Sequence, residues 1–240
     1  GGENGRYWYE VEGKYRTKRN TFSDFVACAE YLVESKITSP EIMSCEGRSA
    51  GGLLMGNVIN MRPDLFKCAV AGVPFVDLMV TMCDPSIPLT TNEWYCFSLF
   101  PSLLSVPLKH NMHNREEWGN PNEPKYFDYM LSYSPIDNVR AQPYPDLLIT
   151  AGLHDPRVAY WEPAKWASKL RAYKTSQDSV VVCKFDLSAG HFSASDRYRW
   201  VREKCYDQAF ILDRLGLKDS VSKAKKTTKS TEEKESKEEE

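Results

Sequence analysis

The chain has 240 residues, 42% of them hydrophobic, which is enough to bury one substantial core. Its formal net charge of −2 at pH 7 offers no positive field for a phosphate backbone, so we expect no nucleic-acid partner. No stretch approaches the roughly 20 apolar residues that cross a bilayer, so we expect no membrane contact. The seven cysteines lack paired short spacings, which favours reduced thiols in a cytoplasmic protein.

Strand and helix patterns alternate along the chain. Helix patterns cover residues 21–36, 53–61, 158–173 and 195–215, and strand patterns cover residues 42–46, 68–73, 147–150 and 179–185. This alternation predicts an α/β fold with a mostly parallel sheet and helices on both faces. Reactive groups in such folds lie at the carboxyl ends of the strands.

The last helix pattern and the segment after it differ sharply in composition. The helix carries apolar residues on one face: Tyr198, Val201, Cys205, Ala209 and Leu212. Residues 218–240 lose this apolar content and pass from a lysine-rich to a glutamate-rich block. We therefore expect one folded domain over residues 1–217 and a disordered, solvated tail, with a partner-binding role for the tail as the alternative.

A possible nucleophile lies in residues 47–51, whose sequence is G-R-S-A-G. A predicted strand leads into this motif and a predicted helix leads out, as a sharp turn that lifts the Ser49 hydroxyl above the sheet edge requires. Side chains at Gly47 and Gly51 are expected to crowd such a turn. The backbone N–H of Ala50 would face a developing oxyanion. The alternative is a helix-capping serine in an ordinary glycine-rich turn.

A serine nucleophile needs a base and a carboxylate that orients the base. His191 lies in the loop before the last helix, where an α/β-hydrolase places its base, although a loop histidine on its own is more often a surface residue. Asp155 follows the strand over 147–150 and gives the chain order Ser, Asp, His. Asp186 is a competing carboxylate that lies close to His191 in sequence. We expect His154, beside Asp155, to be structural.

Long phrases around these residues resemble the prolyl oligopeptidase family, in particular its oligopeptidase B branch. The phrases are GRSAGGLLMG (47–56), NMRPDLFKCAVAGVPFVD (60–77), PLTTNEW (88–94), EEWGNPNEP (116–124) and TAGLHDPRVAYWEPAKW (150–166). The resemblance covers most of residues 1–217 and implies an α/β-hydrolase peptidase domain with Ser49, Asp155 and His191 as the catalytic triad. It also implies hydrolysis of short peptides after Arg or Lys through an acyl-enzyme, without a metal or organic cofactor.

The same resemblance implies a pocket for a basic side chain. A buried guanidinium or ammonium needs a carboxylate partner and often a ring face. The family pattern places Glu93 as that carboxylate, Phe75 as the ring and Glu116 as a second acid that favours paired basic residues. Arg157 resembles a position that receives a substrate carboxylate. Taken alone, each acid could be a solvated surface charge and Arg157 part of a surface ion pair.

Residues 95–115 interrupt the family pattern. The family continues directly from Trp94 to Glu116, whereas this chain inserts 21 residues between them. We interpret the insertion as a retained intron, because 21 codons preserve the reading frame. If the insertion is translated, it separates Glu93 from Glu116 and alters the predicted pocket.

The upstream end is a second departure from the family. The sequence opens at Gly1 rather than at a methionine, so we expect it to be a piece of a longer protein. The family has an upstream β-propeller, which we expect as a partner domain within the same full-length protein, and an upstream tyrosine that completes the oxyanion hole. Without them and the first strands we expect poor folding and little activity.

Two alternatives to a peptidase stay open at this point. A triad does not choose between acyl leaving groups, so an esterase or thioesterase of the same fold would carry the same residues, and acceptance of esters but not peptides would favour it. A catalytically impaired or non-catalytic paralogue is the second alternative, favoured by the missing tyrosine and by the insertion at the pocket.

Overall fold

The structure is a computed structural model, and it describes residues 2–84, 87, 117–192 and 197–217. Glu93, Glu116, the insertion over residues 95–115 and the tail over residues 218–240 lie outside the described residues. The predicted division at residue 217 therefore stays a prediction.

Four parallel strands form one sheet whose spatial order follows the chain. They are β1 (Ser44–Arg48), β2 (Cys68–Gly72), β3 (Asp146–Gly152) and β4 (Val181–Asp186). The register aligns Arg48 with Gly72 and Gly72 with Thr150, so the strands end at a common edge. Loops that follow these strands, including those with the predicted site residues, are thereby brought side by side.

Helices cover both faces of this sheet. They are α1 (Asn20–Glu34), α2 (Ala50–Met61), α3 (Leu78–Cys83), α4 (Pro124–Leu131), α5 (Trp161–Tyr173) and α6 (Arg197–Arg214). Short helical turns occur at Trp8–Glu12, Tyr15–Thr17 and Pro63–Leu65. The predicted α/β class is confirmed. None of the described helices combines the length and apolar character that crossing a membrane requires.

The core consists of two apolar clusters. The larger cluster joins one sheet face to α1, α2 and α5, with Met55, Ile149 and Trp166 among its fully buried side chains. The smaller cluster lies beside the carboxyl edge of the sheet and contains Phe75 and Trp118. The second cluster therefore supports the region where the predicted site residues meet.

The residues that the sequence pattern places on the apolar face of α6 are mostly exposed. Tyr198 is 70% exposed and Val201 is 47% exposed. Asp207 of α6 is buried instead, and it pairs with Lys204 of the same helix. Lys204 also pairs with the half-exposed Glu46 of β1, which links α6 to that strand.

We expect Ile149→Ala to lower the free energy of unfolding by about 2–5 kcal/mol, because Ile149 is fully buried at the centre of β3. Ile42→Ala is the matched control, since Ile42 is 59% exposed, and its effect should stay within about 0.5 kcal/mol. Urea unfolding of the protein that carries this chain measures both values. Equal losses from the two variants would contradict the placement of the core.

Candidate active site

Ser49 occupies a strained turn between β1 and α2. Its φ of 56° and ψ of −118° are unusual for a residue with a side chain. The Ser49 N–H donates to the Gly72 carbonyl at 2.9 Å, which ties the turn to the neighbouring strand. This is the geometry expected of a G-x-S-x-G turn that presents its serine above the sheet edge.

The glycines around Ser49 differ in why they are needed. A Cβ on Gly47 would lie 2.3 Å from the Gly51 carbonyl oxygen, and a Cβ on Gly52 would lie 2.5 Å from Pro74. A Cβ on Gly51 would meet nothing within 4 Å. The expectation that a side chain at Gly51 would crowd the turn is therefore wrong. The carbonyl of Gly51 lies close to Gly47, whereas the space that a Gly51 side chain would occupy is open.

The structure brings Ser49, His191 and Asp155 together in one chain of hydrogen bonds. The Ser49 Oγ lies 3.0 Å from Nε2 of His191, and Nδ1 of His191 lies 2.7 Å from Oδ2 of Asp155. The His191 and Asp155 side chains are 4% and 1% exposed. Because a carboxylate only accepts, Nδ1 carries the proton and Nε2 is left to accept from the serine hydroxyl.

Asp155 is held by its own loop as well as by His191. Its Oδ1 accepts the backbone N–H groups of Arg157 at 2.8 Å and Val158 at 3.0 Å. Both carboxylate oxygens are therefore occupied, and the carboxylate cannot rotate without losing hydrogen bonds. Such a fixed carboxylate can hold an imidazole in one orientation.

The loop before His191 is tied to the end of β3. The N–H of His154 donates to the Ala189 carbonyl at 3.0 Å, while its side chain is exposed. Nη2 of Arg48 donates to the His191 carbonyl at 3.3 Å. A Cβ on Gly152 would lie 2.5 Å from the carbonyl oxygens of Ala189 and Gly190. The two loops can approach this closely only because residue 152 has no side chain.

Asp186, the competing carboxylate, has different partners. Its carboxylate binds Arg199 and accepts from the N–H and Oγ of Ser188. The hydrogen bond from Arg199 lowers the pKa of Asp186 to about 2. Asp186 therefore fixes the turn that leads toward His191, whereas the imidazole itself is bound by Asp155.

The N–H of Ala50 lies at the first residue of α2, beside Ser49. Within the described part of the chain, this N–H donates to no backbone carbonyl. The unpaired N–H groups at a helix N-terminus, together with the helix dipole, stabilise a negative charge placed next to them. The group is thus suited to bind an oxyanion that forms next to the serine.

Phe75 lies directly beside the serine. Its N–H donates to the Ser49 carbonyl at 3.2 Å, and its ring is buried. The ring contacts Trp118 edge-on, with centroids 5.7 Å apart. The Lys18 ammonium lies 4.6 Å from the Trp118 ring and pairs with Glu117. The Phe75 ring is therefore supported by a second ring whose position is itself fixed by an ion pair.

Arg157 lies at the exposed rim of the site. Its guanidinium carbon is 5.2 Å from the centroid of the Phe192 ring, and that ring is 5.1 Å from the imidazole of His191. Among the described residues, no acid lies within ion-pair distance of Arg157. A guanidinium stacked on a ring in this way still presents its N–H groups to a ligand.

Glu162 is a buried acid near the site that the sequence patterns did not single out. It is fully buried in the first turn of α5 and accepts three hydrogen bonds from residues 76–81. The sequence phrase WEPAKW contains the signal, because its acid falls on the helix side that also carries the buried Trp166.

The fold and these residues define the α/β-hydrolase class. A parallel sheet covered by helices carries a serine on a strained strand-to-helix turn, and an aspartate and a histidine follow on later strand ends in that order. Within this class, the chain belongs to the prolyl oligopeptidase family. The family model matches residues 1–102 and 107–218 and leaves residues 103–106, within the predicted insertion, unmatched.

Individual relatives agree with this assignment. The chain is 48% identical over 217 residues to Protease 2 of Moraxella lacunata, covering 90% of this chain and 28% of that protein. It is 43% identical to dipeptidyl aminopeptidase BI of Pseudoxanthomonas mexicana, covering 90% of this chain and 27% of that protein. The chain thus spans little more than a quarter of the length of these relatives.

Solved structures give the same result. Oligopeptidase B from Leishmania major is 60% identical with a TM-score of 0.79, and covers 90% of this chain with 27% of its own. Oligopeptidase B from Trypanosoma brucei with covalently bound antipain is 65% identical, with the same TM-score and coverage. The resemblance predicted from the sequence phrases is confirmed.

We expect Gly47→Ala to destabilise the protein by more than about 1 kcal/mol, because its Cβ would overlap the Gly51 carbonyl and force the turn to move. Gly51→Ala is the matched control, and it should preserve stability or raise it by up to about 1 kcal/mol, since alanine favours a helix. Thermal and urea unfolding measure both. A loss for Gly51→Ala as large as that for Gly47→Ala would contradict the turn geometry.

Proposed function

We propose that the full-length protein that carries this chain is a serine endopeptidase that cleaves short peptides on the C-terminal side of Arg or Lys. The observation that carries the proposal is the hydrogen-bond chain from Ser49 through His191 to Asp155, in a family of peptidases. Ser49 is the nucleophile, His191 the general base and acid, and Asp155 the group that orients the imidazole.

The proposed reaction has two halves. Ser49 Oγ attacks the scissile carbonyl and gives its proton to Nε2 of His191, while the carbonyl electrons form an oxyanion that the Ala50 N–H binds. Collapse of this intermediate breaks the C–N bond, and the amine leaves with the proton from Nε2. Water then attacks the acyl-enzyme with the same assistance, which releases the acid and restores Ser49. No metal or organic cofactor is needed.

The proposed substrate preference depends on a carboxylate beside a ring. Phe75 would contact the stem of the basic side chain, Glu93 would pair with its charge and Glu116 would favour a second basic residue. Arg157, stacked on the exposed Phe192 ring, would bind a substrate carboxylate. The 60% and 65% sequence identity with two oligopeptidase B structures, each over 90% of this chain, supports this preference.

We also propose the setting in which the chain acts. The chain corresponds to little more than a quarter of the length of its relatives, which supports an upstream β-propeller in the same protein as its partner domain.

The six cysteines in the described residues are free thiols, which supports a cytoplasmic location. Burial raises the pKa of both Cys68 and Cys183 to about 11, so these thiols are poorly reactive.

We expect Asp155→Asn to reduce kcat on an arginyl-amide substrate by about 10⁴-fold, because an amide cannot hold the protonated Nδ1 in the required tautomer. Asp186→Asn is the matched control, and loss of its partly exposed pair with Arg199 should cost less than about ten-fold. Steady-state kinetics of the full-length protein measure both, with Ser49→Ala as the inactive reference. Activity that survives Asp155→Asn but not Asp186→Asn would reverse the assignment of the acid.

We expect Glu93→Gln to lower kcat/KM for an arginyl amide by about 100-fold or more, because the bound guanidinium would lose its carboxylate. Glu123→Gln, at an exposed acid paired with Lys125, is the matched control and should have little effect. An esterase would instead cleave esters while leaving amides intact, and a non-catalytic paralogue would be inert with Ser49 present. Either result would reject the proposed function.

A further inference from the structure

Glu162 is fully buried, and among the residues that the structure describes no cation lies within ion-pair distance of its carboxylate. Oε2 accepts the backbone N–H groups of Val76 at 3.2 Å and Asp77 at 3.0 Å, and Oε1 accepts the hydroxyl of Thr81 at 2.6 Å. Burying a carboxyl group in such a place is costly unless donors surround it. These three donors all belong to the segment that follows β2, so the acid serves that segment.

This segment is the one that carries Phe75, and it starts under strain. Val73 has a φ of 38°, which is unusual for a β-branched residue, and its N–H donates to the Thr150 carbonyl at 2.7 Å. Pro74 is packed against Gly52, and the Phe75 N–H donates to the Ser49 carbonyl. The first half of the segment is therefore bound to the serine turn, and Glu162 binds the second half.

A second tie joins the same segment to α5. The carboxylate of Asp77, which is 3% exposed, pairs with Lys165, one turn after Glu162. The helix begins shortly after the loop of Asp155, and Val158 of that loop packs in the same apolar cluster as Phe75 and Trp118. The first turns of α5 therefore join the aromatic wall of the pocket to the loop that carries the acid.

We propose that Glu162 is a positioning residue for substrate selection, whose carboxyl group fixes the backbone of residues 76–77 and thereby holds the Phe75 ring beside Ser49. This inference rests on the proposed function, because it assigns Phe75 to the wall of the pocket. Glu162 itself touches neither substrate nor serine, and it acts through the segment that it binds.

The character of the carboxyl group suggests how to test this role. Burial raises the pKa of Glu162 to about 8, against the lowering effect of its hydrogen bonds. A neutral amide can therefore replace it, because the amide oxygen can accept the N–H groups of Val76 and Asp77 while the NH2 group donates to the Thr81 hydroxyl oxygen. Glutamine keeps an acceptor oxygen at this position, whereas methionine has a volume similar to that of glutamate and no such oxygen.

The test compares Glu162→Gln and Glu162→Met in the full-length protein. For Glu162→Met we expect KM for an arginyl amide to rise about ten-fold, because the ring is no longer held in place. Phosphonylation of Ser49 by a small fluorophosphonate without a basic group should stay within about three-fold of wild type, because that reaction does not use the ring. Glu162→Gln should restore KM.

Leu65→Ala provides the matched control for lost stability, since Leu65 is buried just before β2, at the opposite end of that strand from residues 73–77, and its truncation should leave KM unchanged. An unchanged KM in Glu162→Met would overturn the proposal, as would a fall in phosphonylation parallel to kcat/KM. If Glu162→Met does not fold, Glu162→Asp decides, because its shorter side chain withdraws the carboxyl oxygens from the N–H groups of Val76 and Asp77, and an unchanged KM would again overturn the proposal. A wild-type protein that fails to cleave the arginyl amide would instead reject the proposed function, and this inference with it.

Discussion

Ser49 stands in a backbone conformation that costs a residue with a side chain about 1–3 kcal/mol, and the surrounding structure is built to maintain it. Gly47 leaves room for the Gly51 carbonyl, and Gly52 leaves room for Pro74. Hydrogen bonds from the Ser49 N–H to Gly72 and from the Phe75 N–H to Ser49 fix the turn from both sides. The strain exposes the hydroxyl, and the parallel sheet supplies the rigidity that keeps the strained turn in place.

The other two members of the site depend on the same sheet through cross-links between its loops. Asp155 and His191 follow different strands, yet the loops after β3 and β4 are joined by the bond from His154 to Ala189 and by the close approach that Gly152 permits. The imidazole can therefore lie within hydrogen-bond distance of both neighbours in the unliganded protein.

Local patterns in the sequence predicted the elements and the three site residues, because each leaves a local signal. The strand, glycine-rich turn and helix around Ser49 are contiguous, and the chain order of Asp155 and His191 follows from the fold class. The face that α6 turns to the sheet could not be read from its apolar spacing, since it depends on contacts with strands that are distant in sequence. The role of Glu162 was hidden for the same reason, because its donors lie more than 80 residues away.

The acids around the Phe75 ring bear on how a basic side chain would be recognised. Glu117 pairs with Lys18, Asp77 pairs with Lys165 and Glu162 is occupied by three donors. Each of these carboxyl groups is already compensated within the protein, and drawing Glu117 or Glu162 to a substrate would leave the buried Lys18 or the buried donors of Glu162 unsatisfied. Under the proposed function, a substrate guanidinium beside Phe75 would obtain its carboxylate from another segment, for which Glu93 and Glu116 are the proposed residues. The compensated acids hold the segments around Phe75 in place, and the proposed choice of substrate would then depend on those two residues.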